Sequence, residues 1–293
     1  MSGIAFLRAT TLTLPTAQMF RKPTGAILCP RCGRLTHPEA AECLVCGLPR
    51  PGRWLWAAGI GRLLRTGNFT GMVTVACIGL YVLSLILDPL ASLRPSGPFE
   101  LFSPSQRALI DLGMSGAIPW RHGRWWTIFT AIYLHGNLLH ILFNVLWIRQ
   151  LGPAVENLYG PARLVIVFTV AGTLGFLLSS MAGVPFTVGA SGSIFGLLGA
   201  MVAFGRRRGG VFGTMVLRQY GQWALVLFVL GFVMSGVDNF AHAGGFAGGF
   251  GAGLVLSFSD RRNETLLERV VAGGLIAMTA LAFALALWTA FVS

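Results

Sequence analysis

The strongest constraint on the fold of this chain is a series of long apolar segments. A membrane-spanning helix needs about 20 mostly apolar residues, and the segments that approach this length are 70–88, 130–151, 162–182, 189–204, 219–237, 240–258 and 268–291. The fourth is short and rich in glycine. The sequence therefore predicts an all-α polytopic membrane protein, with a bundle of six spans and a seventh transmembrane helix at the C-terminus. The long loop at 89–125 carries apolar residues and tryptophans, which predicts that it lies in the bilayer interface.

The distribution of basic residues predicts how these spans are oriented. Charged residues are 11% of the chain, less than half of the usual share of about 25%, which excludes an ordinary cytosolic enzyme and a disordered chain. The net charge is +12, yet no arginine-rich arm with interleaved aromatics is present, so we expect no nucleic-acid binding. With a cytoplasmic N-terminus, 18 of the 22 Lys and Arg residues lie inside and four outside. This bias predicts that orientation. The excess of Arg over the single lysine, Lys22, points to a GC-rich bacterial gene, so we expect a bacterial cytoplasmic (inner) membrane.

Four cysteines near the N-terminus form a metal-binding pattern. The sequence reads Cys29-x2-Cys32-x10-Cys43-x2-Cys46, and two such C-x2-C turns complete a tetrahedral four-cysteine zinc site. Two disulfides are the alternative, which a cytoplasmic location disfavours because that compartment keeps thiols reduced. His37 is expected to be a loop residue, since four cysteines already close the zinc shell. We expect a small zinc-ribbon-like module with a structural zinc.

Polar residues inside the predicted spans are candidates for function because they are costly in a bilayer. Ser191 lies about two residues into the fourth span, and His242 about two residues into the sixth. Both spans run from outside to inside, so the two residues are expected at a similar depth near the outer surface. Small residues at a spacing of four let two helices approach closely. They are Gly192, Gly196 and Ala200 in the fourth span and Gly245, Gly249 and Gly253 in the sixth. The sequence thus predicts a nucleophile and a base within reach of each other.

The second span adds further polar side chains. His140 and Asn144 are four residues apart and share a helix face, where they and the Ser191 N–H suit an oxyanion hole. This chemistry is acyl transfer by a serine hydrolase and needs no cofactor. His135 is expected on a different face. Asp238, one turn before His242, is expected to cap the sixth helix.

Together these motifs resemble the rhomboid family of intramembrane serine proteases, over roughly residues 70–260. The family pattern H-x4-H-x3-N is met by His135, His140 and Asn144, G-x-S-G by Gly189–Gly192, and A-H-x2-G by Ala241, His242 and Gly245. Three motifs in the right order and on the right spans make the match specific. The resemblance implies a rhomboid-like six-helix bundle that cleaves single-span, membrane-anchored substrates within the lipid bilayer.

The resemblance also implies roles for individual residues. Ser191 and His242 form a catalytic dyad without a third carboxylate, and His140, Asn144 and the Ser191 amide form the oxyanion site. Two positions depart from the family. Phe195 stands where a tyrosine often stacks beneath the histidine; it can stack but cannot hydrogen-bond. In the first loop, Arg124-Trp125-Trp126-Thr127 stands where a Trp-Arg pair is common.

Two other functions remain open at this stage. One is a catalytically silent rhomboid-like protein that binds transmembrane helices. The other is a metal or proton transporter that uses His135, His140 and His242 as ligands. The sequence divides into an N-terminal tail (1–26), the zinc module (27–50), a basic linker (51–69), the rhomboid-like six-span domain (70–260) and a linker with the seventh helix (261–293). The zinc module offers a surface for a cytoplasmic partner.

Overall fold

The computed structural model describes residues 26–29, 34–54, 69–92, 102–234, 236–256, 258 and 263–292. These residues belong to two compact units, Met1–Leu63 and Leu64–Ser293. The predicted N-terminal tail up to residue 25, the basic linker over 55–68 and Cys32 of the zinc module lie outside the described residues.

The N-terminal unit is a short hairpin followed by a tight cysteine-containing turn. Strand β1 (Ile27–Leu28) pairs antiparallel with β2 (Leu35–Thr36). The Cys43 N–H then donates to the Leu48 carbonyl at 2.9 Å, and the Gly47 N–H donates to the Cys43 carbonyl at 2.8 Å. Gly47 has a φ of +67°, a conformation that favours glycine because it has no Cβ. The glycine directly after Cys46 is therefore required by the backbone of this turn.

The second unit is helical, which agrees with the predicted all-α membrane fold. In chain order its helices are α1 (Phe69–Leu87), α2 (Pro89–Ser92), α3 (Gln106–Asp111), α4 (Ala117–Arg121), α5 (Thr127–Thr130), α6 (Leu138–Tyr159), α7 (Pro161–Met181), α8 (Ser191–Arg208), α9 (Gly210–Val233), α10 (Asn239–Val255) and α11 (Leu266–Val292). A 3-10 turn, Ala131–Tyr133, follows α5. The short helices α2 to α5 occupy the predicted interfacial loop and the residues just beyond it.

Five of the described helices are long and apolar enough to cross a membrane: α1, α6, α7, α9 and α11. The other two predicted spans correspond to α8, which ends in three arginines, and α10, which has 17 residues. Most residues of α8 are buried within the unit, whereas α10 buries one face, which includes Ala241, Gly245 and Gly249. A helix or helix face that is covered by protein does not need the uniformly apolar surface of a lipid-facing span.

The largest difference from the predicted spans is in α6, which starts at Leu138 instead of residue 130 and continues to Tyr159. The Asn137 side chain caps this helix, since its Oδ1 accepts from the His140 N–H at 2.7 Å. An asparagine cap satisfies an N–H that has no partner within the helix. The fifth span also starts earlier, at Gly210, because Gly209 makes a tight turn with φ of +64° directly after α8.

The seventh long helix, α11, packs onto the six-span bundle along its length. Near its start, the Arg163 guanidinium of α7 binds Glu268. Further along, the rings of Phe283 and Tyr133 lie 5.8 Å apart. Near its end, Arg124 Nη2 donates to Thr289 Oγ1 at 3.4 Å and to the Ile110 carbonyl at 3.0 Å. The pKa of the Arg124 guanidinium is lowered, because the effect of burial exceeds the opposing effect of the negative charge on nearby Asp111. The helix therefore joins the third span to the loop between the first two.

Candidate active site at the starts of three helices

Ser191 is the first residue of α8, at the point where the chain turns into the bundle. Gly189, two residues before Ser191, has φ of +126°, and the Gly189 N–H donates to the Ala131 carbonyl at 2.9 Å. That backbone conformation strongly favours glycine, which explains why a glycine stands two residues before the serine. The Ser191 side chain is half-buried, and its N–H is one of the first-turn amides that lack a partner within the helix.

His242 lies in the first turn of α10 and is buried, with 6% of its surface exposed. The start of this helix is fixed by Asp238, whose side chain accepts from the Ala241 N–H at 3.0 Å. The prediction that Asp238 is a helix cap is confirmed. The Ser179 hydroxyl at the end of α7 donates to the other Asp238 carboxylate oxygen. The first turn of α10 is thereby tied to the third span.

The predicted glycine stripes place α8 and α10 in backbone contact. A Cβ on Gly245 or Gly249 would overlap the backbone of Gly192 or Gly196, respectively. A Cβ on Gly192, next to Ser191, would lie 3.2 Å from the carbonyl of Ala241, next to His242. The serine and the histidine therefore lie on two helices whose backbones are in contact, and their chain neighbours Gly192 and Ala241 face each other.

Aromatic stacking supports the His242 ring from one face. The ring of Phe195 in α8 lies 4.2 Å from it, centroid to centroid, at an interplanar angle of 18°. This confirms that phenylalanine at this position stacks with the histidine. The ring's Nδ1 lies 3.2 Å from Asn239 Oδ1. Within the described part of the chain, no hydrogen bond joins His242 to the Ser191 hydroxyl.

His140 and Asn144 face the same region from α6. A Cβ on Gly189 would lie 2.5 Å from His140 Nε2 and 3.8 Å from Asn144 Nδ2. The Gly136 N–H donates to His140 Nδ1 at 3.4 Å, so Nδ1 is the acceptor and Nε2 carries the hydrogen. Asn144 Nδ2 donates one hydrogen to the His140 carbonyl at 2.9 Å and has a second to offer. Two donors thus lie beside the loop that leads into Ser191.

The prediction that His135 lies away from His140 is wrong. The two rings are in edge-to-face contact, with centroids 5.1 Å apart, and His135 is fully buried. The prediction extended the helix back through residue 135, whereas α6 begins only at Leu138. Helical spacing therefore does not apply between the two histidines, and the chain before the cap folds His135 against His140.

Three cysteines of the N-terminal unit form a group that can hold a metal. The Sγ atoms of Cys29, Cys43 and Cys46 lie within 4.8 Å of one another, and those of Cys29 and Cys46 are 3.6 Å apart. No disulfide joins these three described cysteines to one another, so the disulfide alternative is not observed among them. His37 Nδ1 accepts from the Glu39 N–H in an exposed loop, as expected for a non-ligand. Among the described residues, the histidines of the membrane unit form no comparable group.

Sequence reasoning missed two contributors to this architecture. One is Asn239, whose spacing of three from His242 places both on one face of α10 and could have drawn attention to it. The other is Glu268, which forms a capping box with Thr265 at the start of α11. Its Oε2 accepts from the Thr265 N–H at 2.7 Å, and Thr265 Oγ1 accepts from the Glu268 N–H at 3.2 Å. The T-x-x-E signature of such a box is readable in the sequence.

Comparison with known proteins places this arrangement in a class of helical membrane proteins. The Rhomboid domain family model matches residues 122–259. The chain is 30% identical over 217 residues to RHOMBOID-like protein 5 of Arabidopsis thaliana, covering 69% of this chain and 68% of that protein. It is 30% identical over 211 residues to the rhomboid protease GlpG of Salmonella choleraesuis (strain SC-B67), covering 68% and 65%. The chain belongs to the rhomboid family.

A third relative matches over a shorter stretch. The rhomboid protease GluP of Bacillus subtilis (strain 168) is 38% identical over 140 residues, which is 46% of this chain and 26% of GluP. The chain spans about a quarter of the length of GluP. It spans about a third of the length of two Arabidopsis thaliana relatives, RHOMBOID-like proteins 1 and 4. The residues that the family model matches, 122–259, include both Ser191 and His242.

Proposed function

We propose that this protein is an intramembrane serine endopeptidase that cleaves transmembrane segments of membrane-anchored proteins through an acyl-enzyme. The observation that carries the proposal is the packing of α8 on α10, with Ser191 and His242 in their first turns and Phe195 stacked on the histidine. Membership of a family that includes proteins named as proteases supports it.

The first step forms the acyl-enzyme. His242 accepts the proton of the Ser191 hydroxyl while Oγ bonds to the scissile carbonyl carbon. The resulting oxyanion is stabilised by the Ser191 N–H, the His140 Nε2–H and the second Asn144 Nδ2 hydrogen. When the tetrahedral intermediate collapses, the C–N bond breaks and His242 gives its proton to the leaving amine. No cofactor takes part.

The second step releases the acyl group. A water molecule loses a proton to His242 and attacks the ester carbonyl, and the same donors stabilise the second oxyanion. Collapse of this intermediate returns the proton to Ser191 Oγ and frees the carboxyl product. The Ser191 side chain is half-buried rather than sealed, so water and an unwound substrate segment have a route to it.

The test is covalent labelling of the purified full-length protein in lipid vesicles with a fluorescent fluorophosphonate. Labelling of the wild type that is lost in both Ser191→Ala and His242→Ala is the expected result. Wild-type protein that stays folded and never labels would overturn the proposal and favour the silent, helix-binding alternative. Cleavage of a single-span reporter protein in the same vesicles then distinguishes a peptidase from an enzyme that acts on other acyl groups.

For the N-terminal unit we propose a structural zinc held by Cys29, Cys32, Cys43 and Cys46. Tetrahedral coordination with Zn–S bonds of about 2.3 Å places neighbouring sulfurs about 3.8 Å apart, and the Cys29–Cys46 separation of 3.6 Å fits this value. One tightly bound zinc per chain, lost in Cys43→Ser, is the expected metal analysis. A metal-free wild type would overturn the assignment.

We also propose how the chain is divided into parts and how it is oriented in the membrane, from the sequence pattern and the distribution of basic residues. The tail (1–26), zinc module (27–50), basic linker (51–69), protease domain (70–260) and seventh-helix segment (261–293) are proposed as separate parts. From the charge bias we propose that the N-terminus is cytoplasmic, in a bacterial inner membrane, with the zinc module available to a cytoplasmic partner. Protease accessibility of an N-terminal tag in right-side-out and inverted vesicles tests this orientation.

A further inference from the structure

The ring of His242 is held at its edge as well as on its face. Its Nδ1 lies 3.2 Å from Asn239 Oδ1, and Asn239 precedes His242 by three residues on the same helix face. A carboxamide oxygen only accepts hydrogen bonds, so the hydrogen of this bond must reside on Nδ1. The second ring nitrogen, Nε2, is then unprotonated, which is the form that a general base needs.

The surroundings fix the Asn239 side chain in turn. It is half-buried, and α9 approaches it through Gly231. A Cβ on Gly231 would come closer to Asn239 Oδ1 than van der Waals contact allows. The cap by Asp238 and the bond that Asp238 accepts from Ser179 hold the same turn of α10. The room for the carboxamide therefore depends on the missing side chain at Gly231.

We propose that Asn239 is a positioning residue for His242, with Gly231 providing its space. Asn239 holds the Nδ1–H, while Phe195 stacks on the ring face, so the ring's tautomer and orientation are both set before substrate binds. A neutral amide thus takes the place of the third carboxylate that serine–histidine dyads lack. This inference rests on the proposed function, because orienting the His242 ring affects catalysis only if His242 acts as the general base.

The experiment compares fluorophosphonate labelling of wild type, Asn239→Leu and Asn239→Asp in lipid vesicles. Leucine has a similar size but no acceptor, whereas aspartate keeps an acceptor for the Nδ1–H. We expect Asn239→Leu to lower the maximal labelling rate about tenfold or more, and by no more than the 10²–10⁴ that a general base contributes. The apparent affinity for the probe stays unchanged, and Asn239→Asp retains labelling.

A second pair of variants tests the same inference without touching Asn239. Gly231→Ala displaces the carboxamide and should slow labelling in the same way. Gly221→Ala is the matched control, since it lies in the same helix and a Cβ there meets nothing within 4 Å. Thermal unfolding of each variant separates slower chemistry from a loss of folded protein.

The outcomes distinguish this inference from the function on which it rests. A wild type that never labels overturns both. A wild type that labels at the same rate as Asn239→Leu and Gly231→Ala overturns this inference alone. Equal losses in Asn239→Asp and Asn239→Leu, accompanied by equal losses of thermal stability, would assign Asn239 a purely structural role and also overturn it.

Discussion

The Arg163–Glu268 pair provides the sharpest test of how the seventh helix is held. The Arg163 side chain has no exposed surface, whereas that of Glu268 is 17% exposed. Arg163 Nε donates to Glu268 Oε1 at 2.8 Å and Nη2 donates to Oε2 at 3.0 Å. The guanidinium also donates to the carbonyls of Tyr159 and Asn263, at 3.0 and 3.1 Å. Glu268→Gln removes the charge of the carboxylate and keeps the side chain's size.

The burial of Arg163 sets the expected magnitude. Leaving one member of a buried ion pair without its counter-charge costs about 3–5 kcal/mol, and the two remaining carbonyl acceptors favour the lower end. Arg163→Met is expected to cost less, because Glu268 reaches water and keeps its hydrogen bonds to Thr265. The double variant should therefore be more stable than Glu268→Gln alone, since no buried charge is left unpaired.

Thermal unfolding in detergent, followed by tryptophan fluorescence, measures these differences. A loss of 3 kcal/mol corresponds to a decrease in Tm of about 6–12 °C for a unit of this size. Arg269→Gln is the matched control, because its ion pair with Glu264 is 3.8 Å long and its side chain is 66% exposed. It should cost less than about 1 kcal/mol. Equal Tm values for Glu268→Gln and Arg269→Gln, or a double variant less stable than Glu268→Gln, would refute the reasoning.

Three further variants test the packing around the site. Gly249→Ala should cost about 1–3 kcal/mol of stability by overlapping the backbone of Gly196, whereas Gly251→Ala, which meets nothing within 4 Å, should be neutral or stabilising in thermal unfolding. Phe195→Leu should slow fluorophosphonate labelling about two- to tenfold, since a stacked aromatic pair contributes about 0.5–1.5 kcal/mol; Phe195→Tyr should not, and equal rates for both would contradict a role for stacking. Tyr159→Phe removes hydrogen bonds from its hydroxyl to the carbonyls of Ala200 and Gly253 and should cost about 0.5–1.5 kcal/mol; an unchanged Tm would show that these bonds do not stabilise the bundle.

Much of the site could be predicted because its signals are local in sequence. A cap such as Asp238 depends on spacing within one helix, whereas the stacking of Phe195 on His242 was implied by the resemblance to the rhomboid family. The glycine stripes of α8 and α10 also lie within single helices, and they predict close approach because backbone contact excludes side chains. These features were readable before any tertiary contact was known.

Other features depended on where a helix begins. The asparagine cap at Asn137 moved the start of α6 to Leu138, which brought His135 against His140 instead of placing it on another face. Apolar length alone does not locate such a boundary, because residues 128–134, before the cap, are as apolar as the helix itself.

The sequence by itself determined the class of fold, the ends of the spans to within nine residues, and the two helices that carry Ser191 and His242. Only the tertiary structure decided that Asn239 holds the His242 ring, that Gly231 makes room for it, and that Glu268 pairs with the buried Arg163 across 105 positions of sequence. The reason is physical. Hydrophobic periodicity and glycine spacing are properties of one segment, whereas a hydrogen bond or a buried charge pair exists only when the faces of separate helices meet at a few ångströms.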